Sequence, residues 1–198
     1  MPKGVVVLAS GQGTLLQAIL DSPIRQHVIS VGSDLPGCAA LERAQAAGVP
    51  TFCVPLTPGN SRESWDEEFA TTLRRVDPEW IVCAGFMRIL GPQVLSLFPD
   101  RIINSHPALL PAFPGAHAVR DALAYGAKVT GTTVHLVDAG VDTGPIIAQQ
   151  PVTVLADDDE SSLHERIKEV ERVLLVDVLQ QVLTHGLKRE NRRVIVGG

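Results

Sequence analysis

Asn104 and His106 stand two residues apart in the run Arg101-Ile102-Ile103-Asn104-Ser105-His106-Pro107. Ile102 and Ile103 favour an extended strand, and on a strand the residues at i and i+2 leave the same face. A carboxamide and an imidazole so placed can converge on one atom. They can donate two hydrogen bonds to an oxygen that gains negative charge, which is what acyl transfer demands. Pro107, Pro111 and Pro114 then remove backbone donors and fix φ, so the stretch up to Gly115 must be an ordered, non-helical loop. A plainer reading is also open, in which Asn104 caps a turn and His106 is a hydrogen-bonded histidine beside a rigid loop. A third group bears on the choice. The segment Gly140-Val141-Asp142-Thr143-Gly144-Pro145 carries an acid in a second Gly/Pro loop, behind the strand-like run Thr132 to Val137. A carboxylate near His106 would favour its imidazolium, making it a stronger donor or a general acid near neutral pH. Direct transfer without a covalent enzyme intermediate is expected.

The elements that must hold these groups alternate in kind. Gly4 to Ala9 is a continuous apolar run with adjacent valines, the mark of a strand buried on both faces of a parallel sheet. Ser10-Gly11-Gln12-Gly13-Thr14 then turns the chain into Leu15 to Leu20, which has helical spacing. Strand, glycine-rich turn and helix start together form an anion cradle of free amides. A third glycine is missing from Gly11-x-Gly13, and no G-x-x-x-x-G-K-[ST] follows, so a monophosphate ester fits better than a dinucleotide or a nucleoside triphosphate. The same glycines would equally serve a tight turn and nothing more. Strands follow at His27 to Val31, Thr51 to Val54 and Glu79 to Ala84, with helices at Cys38 to Ala47 and from Ser61 to about Arg75. Trp65, Phe69 and Leu73 line one face of the second of these helices. Arg62 opens it and projects into what the preceding loop encloses. Gly85-Phe86-Met87-Arg88-Ile89-Leu90 is apolar outside any regular element, suited to core packing or to the wall of a pocket for a flat aromatic ligand. Beyond the proline loop, a helix at His117 to Tyr125 and strands at Val129 to Val137 and Pro145 to Val154 are expected, the strands as a hairpin-like pair beside the parallel sheet. Asp157 to Glu160 reads as the solvated start of a helix running to about Thr184. Its apolar stripe would be Leu163, Ile167, Val170, Leu174, Val178 and Val182. Arg192 to Val196 reads as a last strand on a sheet edge.

The whole chain narrows the partners. Its 198 residues, 45% hydrophobic, suffice for one sizeable core, and a single domain over residues 1–198 is expected, with halves at about 1–100 and 101–198. A net charge of −5 without a long basic run argues against nucleic acid. Met1 to Ala9 is too short and too strand-like for a signal peptide, and no apolar run reaches membrane-spanning length, so a cytoplasmic protein is expected. Cys38, Cys53 and Cys83 lack metal-ligand or disulfide-framework spacing, and neither a metal nor a disulfide is expected. The apolar loops near Phe86 and Phe113 would suit a homodimer interface or a ligand wall equally well.

Taken in order, Ser10-Gly11-Gln12-Gly13-Thr14, Ala84 to Leu90, Asn104-Ser105-His106-Pro107 through Phe113-Pro114-Gly115, and Asp142-x-Gly144-Pro145 resemble the phosphoribosylglycinamide formyltransferases of purine synthesis. The resemblance spans nearly the whole chain. It implies an α/β fold, a single Rossmann-like domain with a mostly parallel central sheet and antiparallel edge strands. It implies transfer of the formyl group of 10-formyltetrahydrofolate, the co-substrate, to the amine of glycinamide ribonucleotide, with Asn104, His106 and Asp142 as the catalytic trio. The ribonucleotide would be held by Gly11, Gly13, Thr14, Leu15, Gly85, Lys168, Glu169, Val170 and Glu171. The folate would lie on Arg62, Met87, Arg88, Ile89, Leu90, Asp138, Ala139, Gly140 and Val141, with His117 and His135 supporting. Members of the family usually carry Asn where this chain has Leu15, so backbone amides would replace that side-chain contact. The resemblance also implies a cis bond at Leu110-Pro111. Methionyl-transfer-RNA formyltransferases share the trio but add a C-terminal domain and a basic surface, and formyltetrahydrofolate deformylases add an N-terminal regulatory domain, so the length favours the nucleotide enzyme. Two other functions stay open: a 10-formyltetrahydrofolate hydrolase, with water in place of the amine, and a silent binding module that senses a phosphorylated metabolite through Gly11 to Thr14.

Overall fold

The computed structural model of the protein describes residues 4–197. Met1 to Lys3, the head of the stretch judged too short for a signal peptide, and Gly198 lie outside the described residues. The chain divides after Ile103 into two compact units.

In the first unit, β1 (Val5–Leu8) pairs in parallel with β2 (Val28–Ser33) on one side and β4 (Trp80–Cys83) on the other. All four β1 residues are buried, which is why its valines run without polar alternation. Beyond β2 lies β3 (Thr51–Cys53), also parallel. The helices are α1 (Thr14–Leu20), α2 (Ala39–Ala46), α3 (Arg62–Val76) and α4 (Pro92–Leu97). Ser61 caps α3 by accepting from the Ser64 amide at 3.0 Å. Trp65, Phe69 and Leu73 are fully buried on its inner face. Phe69 stacks on Trp65 and on Phe86, with ring centroids 4.8 and 5.6 Å apart, so Phe86 belongs to this core. The helix α4 was not anticipated. Its cap comes from a distant residue: the buried Asp66 of α3 accepts from the amides of Gly91 and Gln93, both at 2.8 Å.

The strand β5 (Ile102–His106) carries the chain across the division. In the second unit, β6 (Val129–Leu136) and β7 (Ile146–Thr153) pair antiparallel, with α5 (Ala118–Tyr125) and α6 (Glu160–His185) as the helices. A capping box of Asp159 and Ser162 opens α6, and Asp158 pairs with Arg166 at 2.6 Å, so the acidic run serves the helix start. The buried stripe of α6 is Leu163, Ile167, Glu171, Leu175, Val178, Leu179 and Val182. Val170 and Leu174 are only half-buried, and Glu171 and Leu175 take the inner positions. The C-terminal strand also differs from expectation. Arg193–Val196 (β9) pairs with Leu187–Glu190 (β8) in a separate two-stranded sheet, because Asn191, at φ 56°, reverses the chain between them. Among the described residues no helix is long and apolar enough to cross a membrane.

Candidate active site

His106 closes β5 with its ring buried, held at both nitrogens. Nε2 donates to the Phe113 carbonyl at 2.8 Å, and Nδ1 stands 3.3 Å from Asp142 Oδ2. A carbonyl partner requires a proton on Nε2, so Nδ1 is the nitrogen free to gain or lose one. The same carboxylate oxygen accepts from the Gly115 amide at 2.8 Å. The proline loop is thus tied twice, through Phe113 to the imidazole and through Gly115 to the acid. Asp142 itself sits at φ 53°, a left-handed conformation that aspartate tolerates better than most residues.

Asn104, two residues before His106, donates from Nδ2 to Nε2 of His135 at 3.2 Å. Nδ1 of the buried His135 donates in turn to the Leu136 carbonyl at 2.9 Å. The second Asp142 oxygen, Oδ1, lies 3.6 Å from the same His135 Nε2. Unprotonated, that nitrogen accepts from Asn104; protonated, it turns its hydrogen to Asp142. His135 therefore links the carboxamide to the acid, and the three residues picked out by type and spacing meet around one carboxylate.

The charge state of His106 departs from expectation. Burial is the largest influence and pushes its pKa below the ordinary histidine value. The Phe113 carbonyl and the Asp142 carboxylate raise it, but they do not recover what burial removes, and His135 lowers it further. Asp142 favours the imidazolium as anticipated, yet the resting imidazole is less readily protonated than a free one. Asp142 in turn is held below the usual carboxylate range by His135 first, against the opposing effect of burial, with the Gly115 amide and His106 adding to the lowering.

Several supports of this site gave no signal in the sequence. The Thr133 hydroxyl donates to the Ala108 carbonyl at 2.6 Å and accepts from the Leu110 amide at 3.0 Å. Gln149 Nε2 donates to that hydroxyl and to the Leu110 carbonyl, each at 2.9 Å. Leu110-Pro111 is cis, as the resemblance implied. Ser105, which points to the opposite face of β5 from Asn104 and His106, donates to Glu171 Oε1 at 2.7 Å. Burial raises the Glu171 pKa, and the Ser105 hydroxyl offsets only part of that.

With this geometry in view, the chain can be set beside known proteins. Residues 3–179 match the family model described as formyl transferase. The chain belongs to the formyl transferase family. A phosphoribosylglycinamide formyltransferase of Mycobacterium tuberculosis is 54% identical over 199 residues, covering 99% of this chain and 92% of its own length. One from Escherichia coli is 40% identical, covering 98% and 93%. The crystal structure of glycinamide ribonucleotide transformylase 1 from Symbiobacterium toebii superposes with a TM-score of 0.93 at 41% identity, covering 98% of this chain and 93% of that one. The chain is thus a formyl-transferring enzyme, and its mostly parallel α/β sheet is the fold of these relatives.

The remaining residues named from the sequence are placed by their own units. In the first, Gly13 is the N-cap of α1 at φ 69°, and a side chain there would meet Ala40 at 2.8 Å. Gly11 and Thr14 are exposed, whereas the Leu15 side chain is buried in the core. Gly85, at φ 75°, leads into Met87 and Ile89, both strongly exposed, and Leu90, which is buried. Arg62 donates to the Ile89 carbonyl at 2.5 Å and lies over the Trp65 ring at 4.8 Å. Arg88 pairs with the buried Asp34 at 2.8 Å, so its guanidinium is committed within the protein. In the second unit, Asp138 Oδ1 accepts from the Gly140 amide and the Thr143 hydroxyl at 3.1 and 2.6 Å, stapling the loop that carries Ala139 and the exposed Val141. Lys168 pairs with Glu165 at 2.8 Å, Glu169 is exposed and Val170 half-buried. His117 is the exposed N-cap residue of α5 and makes no side-chain cap bond.

Proposed function

We propose that the protein transfers the formyl group of 10-formyltetrahydrofolate to the amine of glycinamide ribonucleotide, giving formylglycinamide ribonucleotide and tetrahydrofolate in purine synthesis, and that it works in the cytoplasm. The observation that carries the catalytic assignment is the Asp142 carboxylate, 3.3 Å from His106 Nδ1 and 3.6 Å from the His135 nitrogen on which Asn104 rests. The amine adds to the formyl carbon, and the carbonyl oxygen becomes an oxyanion. Asn104 donates to it from Nδ2, and its partner His135 fixes the plane of the carboxamide. The amine proton enters the Asp142 and His106 pair, where the unprotonated Nδ1 of the resting imidazole can hold it. As an imidazolium, His106 then donates to the oxyanion. The carbon to N10 bond breaks, and the proton leaves on the folate nitrogen. One bond to nitrogen forms, one breaks, and one proton moves between the two nitrogens.

Gly11, Gly13, Thr14 and the amide of Leu15 are assigned to the phosphate, and Gly85 with Lys168, Glu169, Val170 and Glu171 to the rest of the ribonucleotide. Arg62, Met87 to Leu90 and Asp138 to Val141 are assigned to the folate, with Arg88 acting through its backbone. One assay tests the reading: purified protein with both substrates, following formyl transfer and free formate together. Transfer that depends on the ribonucleotide is expected. Formate release at the same rate without it would assign a hydrolase instead, and no turnover with either would refute the reading.

A further inference from the structure

Asp34 stands one residue beyond the end of β2, with only 4% of its surface exposed. Both of its oxygens are engaged. Oδ1 accepts from the Ser10 hydroxyl at 2.5 Å, and Oδ2 accepts from Arg88 Nε at 2.9 Å, with the guanidinium's Nη2 at 2.8 Å. Ser10 is itself shared: its Oγ accepts from the Met87 amide at 2.9 Å, and its own amide donates to the Gly85 carbonyl at 3.0 Å. Behind the turn, the Gly11 carbonyl accepts from the Ala40 amide at 3.0 Å. One buried carboxylate thus holds the hydroxyl that opens the glycine turn and the guanidinium at the middle of the 85–90 segment. Removing either donor would leave a buried charge short of a partner, which is strongly disfavoured. Neither segment can shift alone without breaking a bond to Asp34.

We propose that Asp34 is a positioning residue that fixes the glycine turn and the 85–90 segment in one arrangement, so that both substrates depend on it for binding. The kinetic side of this rests on the proposed function, which gives the phosphate to the turn and the folate to the 85–90 segment. A charge pair that merely stabilised the unit would lower the melting temperature and leave substrate binding alone.

The test uses Asp34→Asn, Arg88→Met, their double variant and Ser10→Ala. In Asp34→Asn, KM for both substrates should rise at least about tenfold while kcat stays within about threefold. The double variant should be within about twofold of the weaker single, because both changes break the same pair. Hydrogen exchange gives a readout independent of turnover. In the free protein, the Met87 amide should exchange at least about tenfold faster in Asp34→Asn and in Ser10→Ala. Unchanged Met87 exchange in the variants would overturn the proposal, as would a KM rise for one substrate only, or a lower melting temperature with both KM values intact. Arg88→Met, which breaks the pair with Asp34 and leaves the Ser10 hydroxyl that accepts from the Met87 amide, decides the matter by the same Met87 exchange, at least about tenfold faster, if Asp34→Asn does not fold. If the wild-type protein transfers no formyl group, the function fails, while the exchange measurement still decides whether Asp34 fixes the two segments.

Discussion

Replacing Asp142 by Asn separates charge from shape at the centre of the proposed chemistry. Asn tolerates the φ of 53° at this position, and its side-chain oxygen can keep the 2.8 Å bond from the Gly115 amide. What disappears is the negative charge 3.3 Å from His106 Nδ1, together with the oxygen that could hold a proton in transit. Losing one proton-transfer group costs about 10²- to 10⁴-fold, or roughly 3–5 kcal/mol in the barrier. We expect kcat for formyl transfer to fall by about 10³-fold, with a melting temperature within about 3 °C of wild type. Asp142→Ala should lose a similar factor in kcat but more stability, because it also frees the Gly115 amide and puts alanine in a left-handed conformation, each worth about 1–2 kcal/mol. A proton NMR titration of the His106 ring gives the electrostatic half of the argument. Its midpoint should lie below the ordinary 6.5 in wild type, because burial dominates, and lower still in Asp142→Asn, because the carboxylate is one of the groups holding it up. A folded Asp142→Asn with kcat within about fivefold of wild type, or a His106 midpoint that rises in it, would refute the reasoning.

Glu171 has a folded-state pKa raised above its ordinary 4.5, so its contribution to stability is present below that pH and is lost as pH rises through the folded value. Glu171→Gln keeps an acceptor for Ser105 without the charge; its melting temperature should exceed wild type near about pH 8 and converge with it near about pH 4 by calorimetry. Thr133→Val preserves shape but strands the Leu110 amide and the Ala108 carbonyl; we expect a loss of about 2–4 kcal/mol in urea denaturation, and an unchanged midpoint would dispose of this role. Gly13→Ala must adopt φ 69° within 2.8 Å of Ala40, so KM for the ribonucleotide should rise at least about tenfold, more than KM for the folate in steady-state kinetics.

What the sequence made legible was local. The valine run of β1, the Ser61 start and apolar face of α3, and the acidic start of α6 each state their structure within a few residues. The Asn104 and His106 pair was readable for the same reason, since alternation along a strand decides which side chains share a face. The missed features all depend on partners far along the chain. Six-residue α4 takes its cap from Asp66, 25 residues before Gly91. Pro92 at its first position was a usable sign, though a short one. Thr133 looks like any strand threonine until the proline loop lies against it, and Asp34 like any acid at the end of a strand until Ser10 and Arg88 reach it. The α6 stripe differs from expectation in its middle for the same reason: Glu171, whose carboxylate accepts from the Ser105 hydroxyl of β5, and Leu175 lie inward where Val170 and Leu174 were expected.

The sign of the His106 shift turns on a magnitude that sequence cannot supply. A neighbouring acid raises a histidine's pKa and burial lowers it, and both consequences of the proline loop are present at once. The loop that brings the Gly115 amide to Asp142 and the Phe113 carbonyl to Nε2 also takes the ring out of water. The exclusion of water that disfavours a resting imidazolium also strengthens every hydrogen bond to a charge formed inside. An oxyanion beside Nδ1 adds a second negative partner to Asp142 and reverses the balance, so the ring becomes easiest to protonate when the tetrahedral intermediate exists. A site that kept His106 permanently charged would hold its donor against Asp142 before the substrate arrived, and would gain less from the oxyanion when it formed.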